Sequence, residues 1–249
     1  MNMDVPTPWG IYFQDSATPQ MEGLVELHDN IMYYLVIILF AVAWIMLSII
    51  RNYAETQSPE KWSGKSLLIW ISHKYLNHAT IIELIWTITP AVILILIAFP
   101  SFKLLYLMDE RFSPPYNYNL HQWYWSYQYP DFLNIDEEFI EFDSYMVPES
   151  DLEYGGLRML EVDNRVILPE LTHVRFIITS GDVIHAFACP ALGIKCDNDP
   201  GRLNQVSVFV NREGVFSQCS EICGILHSSM PIVIESVSLE KFLTWLEEQ

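Results

Sequence analysis

Two thiols, an imidazole and a thioether fall within twelve residues of this 249-residue chain: Cys219-Ser-Glu-Ile-Cys223-Gly-Ile-Leu-His227-Ser-Ser-Met230, or C-x3-C-x3-H-x2-M. Zinc sites usually pair one C-x2-4-C with a second and do not favour a thioether. Thiolate, imidazole and a weak methionine together are the donors of copper electron-transfer sites. A mononuclear site of that kind needs a single cysteine. Two cysteines on one loop can bridge, and so can hold two copper ions. Each ion then wants its own imidazole, and His227 supplies one. For the second, His185 is the natural candidate, in Ser180-Gly-Asp-Val-Ile-His185 after an apolar β-run. His121, beside tryptophans, and His173, in a polar turn, are the alternatives. The bland readings are a Cys219–Cys223 disulfide and a satisfied core histidine at 185; neither accounts for the whole set.

These donors need a frame. Half the residues are apolar (51%) and the net charge is −18, which excludes nucleic acid as a partner and suits a basic one. The charge is uneven: 23 acidic against 8 basic residues from Asp109 onward leave that part at −15. Ile31–Ile50 and Leu84–Phe102 are runs of 20 and 19 residues without a charge, long enough to cross a bilayer as helices. Tyr33, Tyr34 and Arg51 sit where interface anchors would, and Pro90 and Pro100 are tolerated better in a membrane helix than in a soluble one. Arg51, Lys61, Lys65 and Lys74 outnumber Glu55 and Glu60 between the runs, whereas Glu22, Glu26, Asp29, Asp109 and Glu110 flank them on the other side. The positive-inside rule puts the loop inside and both termini outside. No signal or transit peptide is expected at the start.

After Met108 the pattern becomes short alternating runs: His121–Tyr127, Leu157–Val162, Val174–Thr179, Val206–Val210 and Pro231–Val237. Pro114-Pro115, Gly155-Gly156, Ser180-Gly181 and Asp199-Pro200-Gly201 separate them, the rhythm of a small β-sandwich or barrel. The tail from Ser238 reads as a capped helix with Leu239, Phe242, Leu243 and Leu246 on one face. Three parts follow: an outside leader, 1–30; a transmembrane hairpin, 31–108, with an inside loop, 51–80; and a β domain, 109–249.

The stretch from His185 to Glu235, HAFACPALGIKCDNDPGRLNQVSVFVNREGVFSQCSEICGILHSSMPIVIE, resembles the copper domain of cytochrome c oxidase subunit 2. So do HQWYWSYQYPDF from His121, LRMLEVDNRVILP from Leu157 and ELIWTITPAVILILIAFPSFKLLYLMDE from Glu83. The leader DVPTPWGIYFQDSATPQMEG is most similar to mitochondrial fungal members. The resemblance covers nearly the whole chain. It implies a two-helix transmembrane hairpin carrying an all-β, cupredoxin-like Greek-key barrel. It implies copper ligands at His185, Cys219, Glu221 (through its carbonyl), Cys223, His227 and Met230. It also implies magnesium at the Glu221 carboxylate, shared with the catalytic subunit. Cys189 and Cys196 fall outside the ligand pattern and read as free structural thiols.

The same resemblance implies Trp123 as the residue where electrons enter and Glu83 as the proton-uptake carboxylate. It assigns Asp163, Asp182, Glu138 and Asp143, within and around the acidic stretch 136–143, to docking of cytochrome c. The implied protein moves electrons from cytochrome c through dinuclear copper to haem in a catalytic subunit, among other oxidase subunits and membrane lipid. Its implied site is the mitochondrial inner membrane, with the β domain and N-terminus in the intermembrane space and the loop in the matrix. The chain departs from the family's usual wording at VFSQC before the site, over a short Pro/Tyr-rich stretch, 111–120, and in an apparent insertion, 60–70. A copper chaperone with C-x3-C would leave Met230, the second histidine and the second span without a purpose. A copper-free quinol oxidase subunit would not keep both cysteines.

Overall fold

The structure is a computed structural model that describes residues 9–53, 78–109, 115–133, 137–212 and 214–249. The bulk of the expected inside loop, the insertion at 60–70, the start of the 111–120 stretch and Asp136 lie outside the described residues. The chain divides into two compact units, Glu26–Phe102 and a second that joins Met1–Val25 to Lys103–Gln249.

Two helices carry the apolar runs, α1 at Pro19–Tyr53 and α2 at Thr80–Met108. Both are long and apolar enough to cross a membrane, and neither has its apolar window buried in protein. The boundary expected at residue 30 falls inside α1. The helix starts early because Thr18-Pro19 is a start signal: the Thr18 hydroxyl accepts the Met21 N–H at 3.1 Å, and proline suits the first helical position. In α2, the Glu83 carboxylate accepts the Ala79 N–H at 3.2 Å, satisfying a donor at the helix start. Pro90 and Pro100 remove two donors from this helix. The Thr87 and Thr89 hydroxyls donate to the carbonyls of Glu83 and Ile85, so that these polar groups are matched within the helix.

Among the described residues, the larger unit holds ten strands: β1 Pro115–His121, β2 Tyr124–Leu133, β3 Phe139–Ser144, β4 Val166–Pro169, β5 Thr172–Ser180, β6 His185–Cys189, β7 Ile194–Asn198, β8 Asn204–Val210, β9 Val215–Cys219 and β10 Pro231–Val237. They form two five-stranded sheets, β3-β2-β1-β5-β8 and β4-β10-β9-β6-β7. Alternation decides the faces. In β5, Val174, Phe176 and Ile178 are fully buried, while His173 points the other way. Trp125, Phe176 and Val208 of the first sheet share one core with Phe187, Leu168 and Ile232 of the second. Phe187 meets Trp125 and Phe176 with ring centroids 5.6 and 5.5 Å apart. An isolated bridge pairs Ser180, at the end of β5, with Pro200 in the connection from β7 to β8.

Three expectations are corrected. His121–Tyr127 is not one strand but the tip of the β1–β2 hairpin, with Gln122 and Trp123 in the turn and His121 paired to Tyr124. No glycine, asparagine or aspartate marks that turn. Leu157–Val162 is a turn with a single bridge at Val162, because the N–H groups of Leu160 and Glu161 both bond the Leu157 carbonyl. The tail helix, α3 at Leu239–Glu247, has Ser238 in the capping position but without a side-chain bond. Its contact face is Phe242, Trp245 and Leu246, while Leu239 and Leu243 are exposed.

The leader belongs to this unit. Ala17 donates to the Ala191 carbonyl and accepts from Asn211, each at 2.8 Å, and the Thr18 hydroxyl donates to Leu192. Arg212 donates to the Ser16 and Asp15 carbonyls. Gly193, at φ +71°, leaves room for Met21, whose Cβ lies 3.2 Å from where a side chain would begin.

The face of α3 is testable. Phe242→Ala should lower the stability of the domain by about 3–5 kcal/mol, and Leu243→Ala by less than ~0.5 kcal/mol. Denaturant unfolding of the full chain checks this; equal losses would mean that the helix is packed on its other side.

Candidate metal centre

Strand neighbours create the site. β9 and β10 pair antiparallel, and the loop 220–230 joins them; β6 lies on the other side of β9, with Phe187 opposite Cys219. The start of β6 therefore brings His185 beside the end of β9. His185 is fully buried, and Cys219, Cys223 and Met230 are nearly so. One ligand atom each from His185, Cys219 and Cys223 lies within 4.8 Å of the others. All four cysteines are free thiols, so neither pair is a disulfide.

Each thiol has donors close by, and His227 interacts with both. Cys219 Sγ lies 3.9 Å from His185 Nδ1 and 3.4 Å from the Glu221 carbonyl oxygen. Cys223 Sγ lies 3.6 Å from His227 Nδ1 and 3.4 Å from Met230 Sδ. Of the three histidines considered as the second imidazole, His185 is the one beside a thiol. The His121 ring stacks on Tyr124, and the His173 ring rests on Phe209.

Electrostatics separate the two thiols. Burial opposes ionisation of Cys219, but His185 and the N–H donors of Ala186 and Glu221 outweigh it and bring its pKa to about 7. Burial and the neighbouring Cys219 push Cys223 up to about 12. The pair therefore holds one negative charge easily and a second only against repulsion, which a cation removes. The residues fit copper: soft sulfurs and two imidazoles, with no hard carboxylate among the close donors that the described residues supply. Because Cys223 must lose its proton, loading releases protons, and affinity rises with pH.

A second layer holds the donors. Asp182 Oδ1 lies 3.0 Å from His185 Nε2; with that N–H donated, Nδ1 presents its lone pair toward Cys219. Burial works against charge on both partners. Even so, the Val183, Gln122 and His185 donors hold Asp182 below the usual carboxylate range, and Cys219 and Asp182 carry the His185 pKa upward. The residue expected only among docking acids is thus bonded to a site histidine. Trp125 Nε1 donates to the Met230 carbonyl at 3.0 Å, and Gln122 Nε2 to that of Cys223 at 3.0 Å. Gln122 carried no signal in the sequence.

Trp123 is half-buried in the hairpin turn and lies against Gly224, one residue from Cys223. A Cβ on Gly224, which is at φ +137°, would meet the indole at 3.0 Å. Asp143 and Asp163 converge on Tyr145: Asp163 accepts its N–H at 2.7 Å, and Asp143 lies 3.4 Å from its hydroxyl. Tyr145 stacks on Tyr124, 4.8 Å between centroids. Glu138 precedes the far end of β3, five residues from Asp143, and lies apart from that cluster. Glu83 belongs to the other unit, where His78 Nδ1 is 3.6 Å from its carboxylate.

Two hydrophobic helices and a two-sheet domain with a cysteine–histidine–methionine loop define a membrane-anchored metalloprotein of cupredoxin type. Residues 117–237 match the family described as cytochrome c oxidase subunit II, periplasmic domain, and residues 6–104 match its transmembrane domain. Cytochrome c oxidase subunit 2 of Neurospora crassa is 80% identical, covering 100% of this chain and 96% of its own length. That of Podospora anserina is 78% identical with the same coverage. The crystal structure of the periplasmic domain of subunit II of cytochrome oxidase from Bradyrhizobium japonicum is 39% identical. It aligns with a TM-score of 0.50 over 57% of this chain and 96% of that one. The chain belongs to the cytochrome c oxidase subunit II family. It is accordingly a subunit of a multi-subunit haem-copper oxidase of the inner membrane, with two membrane-spanning helices and copper as the metal its donors support.

If the Asp182 bond orients His185, Asp182→Asn should weaken copper retention by about 10–100-fold. Copper per chain after a chelator challenge measures this. Undiminished retention would return Asp182 to a purely surface role.

Proposed function

We propose that this chain is the electron-accepting subunit of its oxidase. It receives electrons singly from cytochrome c outside the membrane, holds them at a dinuclear copper site and passes them to haem in the catalytic subunit. Oxygen reduction, coupled to proton pumping, belongs to that partner. The observation that carries the reading is a pair of free thiols on one loop, one 3.9 Å from the His185 imidazole and the other 3.6 Å from that of His227. His185, Cys219, the Glu221 carbonyl, Cys223, His227 and Met230 are the residues that would hold the copper. Bound there, copper supplies one-electron redox chemistry with the charge spread over two ions.

The chain's own residues do the remaining work. Asp182 orients His185, and Trp125 and Gln122 hold the loop by its carbonyls. Buried donors on strand ends move little when the charge changes, which keeps reorganisation small. Trp123 is the residue where electrons enter, because its ring touches the loop beside Cys223. Ile222 and Ile225, 79% and 91% exposed, supply an apolar contact rim around it. Asp143, Asp163 and Asp182 steer a basic partner toward that rim, and Glu138 adds to the wider acidic field. The Glu221 carboxylate offers a hard oxygen to magnesium at the contact with the catalytic subunit.

At the other unit, Glu83 begins proton uptake from the matrix side, in contact with His78. The helices cross the mitochondrial inner membrane, among its lipids, with their connection in the matrix. The β domain and the leader that packs on it face the intermembrane space.

Cys223→Ser tests the shared sulfurs, because a hydroxyl is a hard, weakly acidic substitute for thiolate. Copper should fall below two per chain and the mixed-valence signal should vanish; two coppers with an unaltered spectrum would contradict the assignment. Trp123→Ala should slow transfer within the preformed cytochrome c complex by about tenfold, ~1.4 kcal/mol of barrier. Flash-induced electron transfer measures that rate. A change in affinity alone would make Trp123 a contact residue only.

A further inference from the structure

Away from the metal centre, one cavity combines an unmatched polar group with the end of a membrane helix. Pro19 and Gln20 of α1, Leu107 of α2, His173 of β5, and Ser207 and Phe209 of β8 line a space of about 260 Å³. Gln20 is 8% exposed. Its Nε2 donates to the Ser207 carbonyl at 3.3 Å, which fixes the orientation of the amide. Its Oε1 is left buried without a partner among the described residues. Arg175 stands opposite Ser207 in the β5–β8 ladder, and its Nε is also buried without a partner. The His173 ring leans on Phe209, with centroids 4.8 Å apart.

Each feature specifies part of a ligand. A desolvated amide oxygen needs a hydrogen-bond donor. Ser207 and His173 bring a hydroxyl and an imidazole N–H to the cavity wall, and the Arg175 guanidinium lies next to that wall, across the ladder from Ser207; together they favour a phosphate. The apolar walls include the last turn of a membrane-spanning helix, so acyl chains can continue along α2. A single water would satisfy Gln20 but would leave Arg175 and the apolar wall unused.

We propose that this cavity binds the headgroup of an aminophospholipid, with the primary ammonium donating to Gln20 Oε1 and the phosphate held by Arg175, Ser207 and His173. The lipid ties the leader and the β5–β8 face to the bilayer surface. This rests on α2 spanning the membrane and is independent of the copper assignment.

The test uses the intact purified oxidase, stripped of loose lipid by detergent and then titrated with defined lipid, with bound lipid counted by native mass spectrometry. Dioleoyl phosphatidylethanolamine should occupy one site that Gln20→Leu and Arg175→Gln lose. Gln20→Glu, whose carboxylate pairs with the ammonium, should bind it more tightly. Dioleoyl phosphatidylcholine, which has no N–H to donate, should bind at least about tenfold more weakly. The chain-free headgroup glycerophosphoethanolamine should not compete at equal concentration. Equal retention of both lipids, or equal occupancy in wild type, Gln20→Leu and Gln20→Glu, would overturn the proposal. Full competition by the soluble headgroup would overturn the membrane lipid as its source. The copper spectrum, read in the same samples, should be unchanged in every variant, which separates failure here from failure of the electron-transfer reading.

Discussion

Two thiols on one loop, with their sulfurs within 4.8 Å, are the constraint on which the rest of the molecule depends. Two negative charges at that separation repel by about 3 kcal/mol at an effective dielectric of ~20. The protein divides the cost unequally. Cys219 has an imidazole and backbone donors to hold its charge, whereas Cys223 has burial and its neighbour against it. A bound cation offsets that repulsion. The site is therefore built to be completed by metal, and the fold's task is to stop the sulfurs from escaping, by movement or by oxidation.

The two sheets meet that demand through adjacency. Cys219 ends one strand, His185 begins its neighbour, and Met230 immediately precedes the next, so three donors are fixed by ladder geometry rather than by a free loop. Trp125 lies beneath, with its ring in the core and its N–H on the Met230 carbonyl. A loss of core packing under this tryptophan would thus be felt at copper. The β1–β2 turn covers the loop from the other side, through Gln122 and Trp123.

Much of this was legible in the sequence for a physical reason: the donors Cys219 to Met230 are consecutive on one loop, and their chemistry is set by residue type. His185 could be ranked first among three histidines because it follows an apolar run, but its contact with Cys219 depends on the β6–β9 register, which no local pattern encodes. The bond from Asp182 to His185 is hidden for the same reason, since an acidic residue near a turn looks like any solvated charge. Trp123 reads as a strand residue because nothing around Gln122 resembles turn chemistry, and Leu157–Val162 mimics a strand through apolar content alone. The packing of the leader is of another kind. Thr18-Pro19 is a helix start readable from sequence, yet the bonds of Ala17 and Thr18 to Ala191 and Leu192 join positions some 170 residues apart.

The electron paramagnetic resonance spectrum of the copper-loaded wild-type chain, taken beside a metal count, tests the central claim most directly. Two shared thiolates predict two coppers per chain and hyperfine structure from one unpaired electron spread equally over both nuclei. One copper per chain, or hyperfine structure from a single nucleus, would contradict the account.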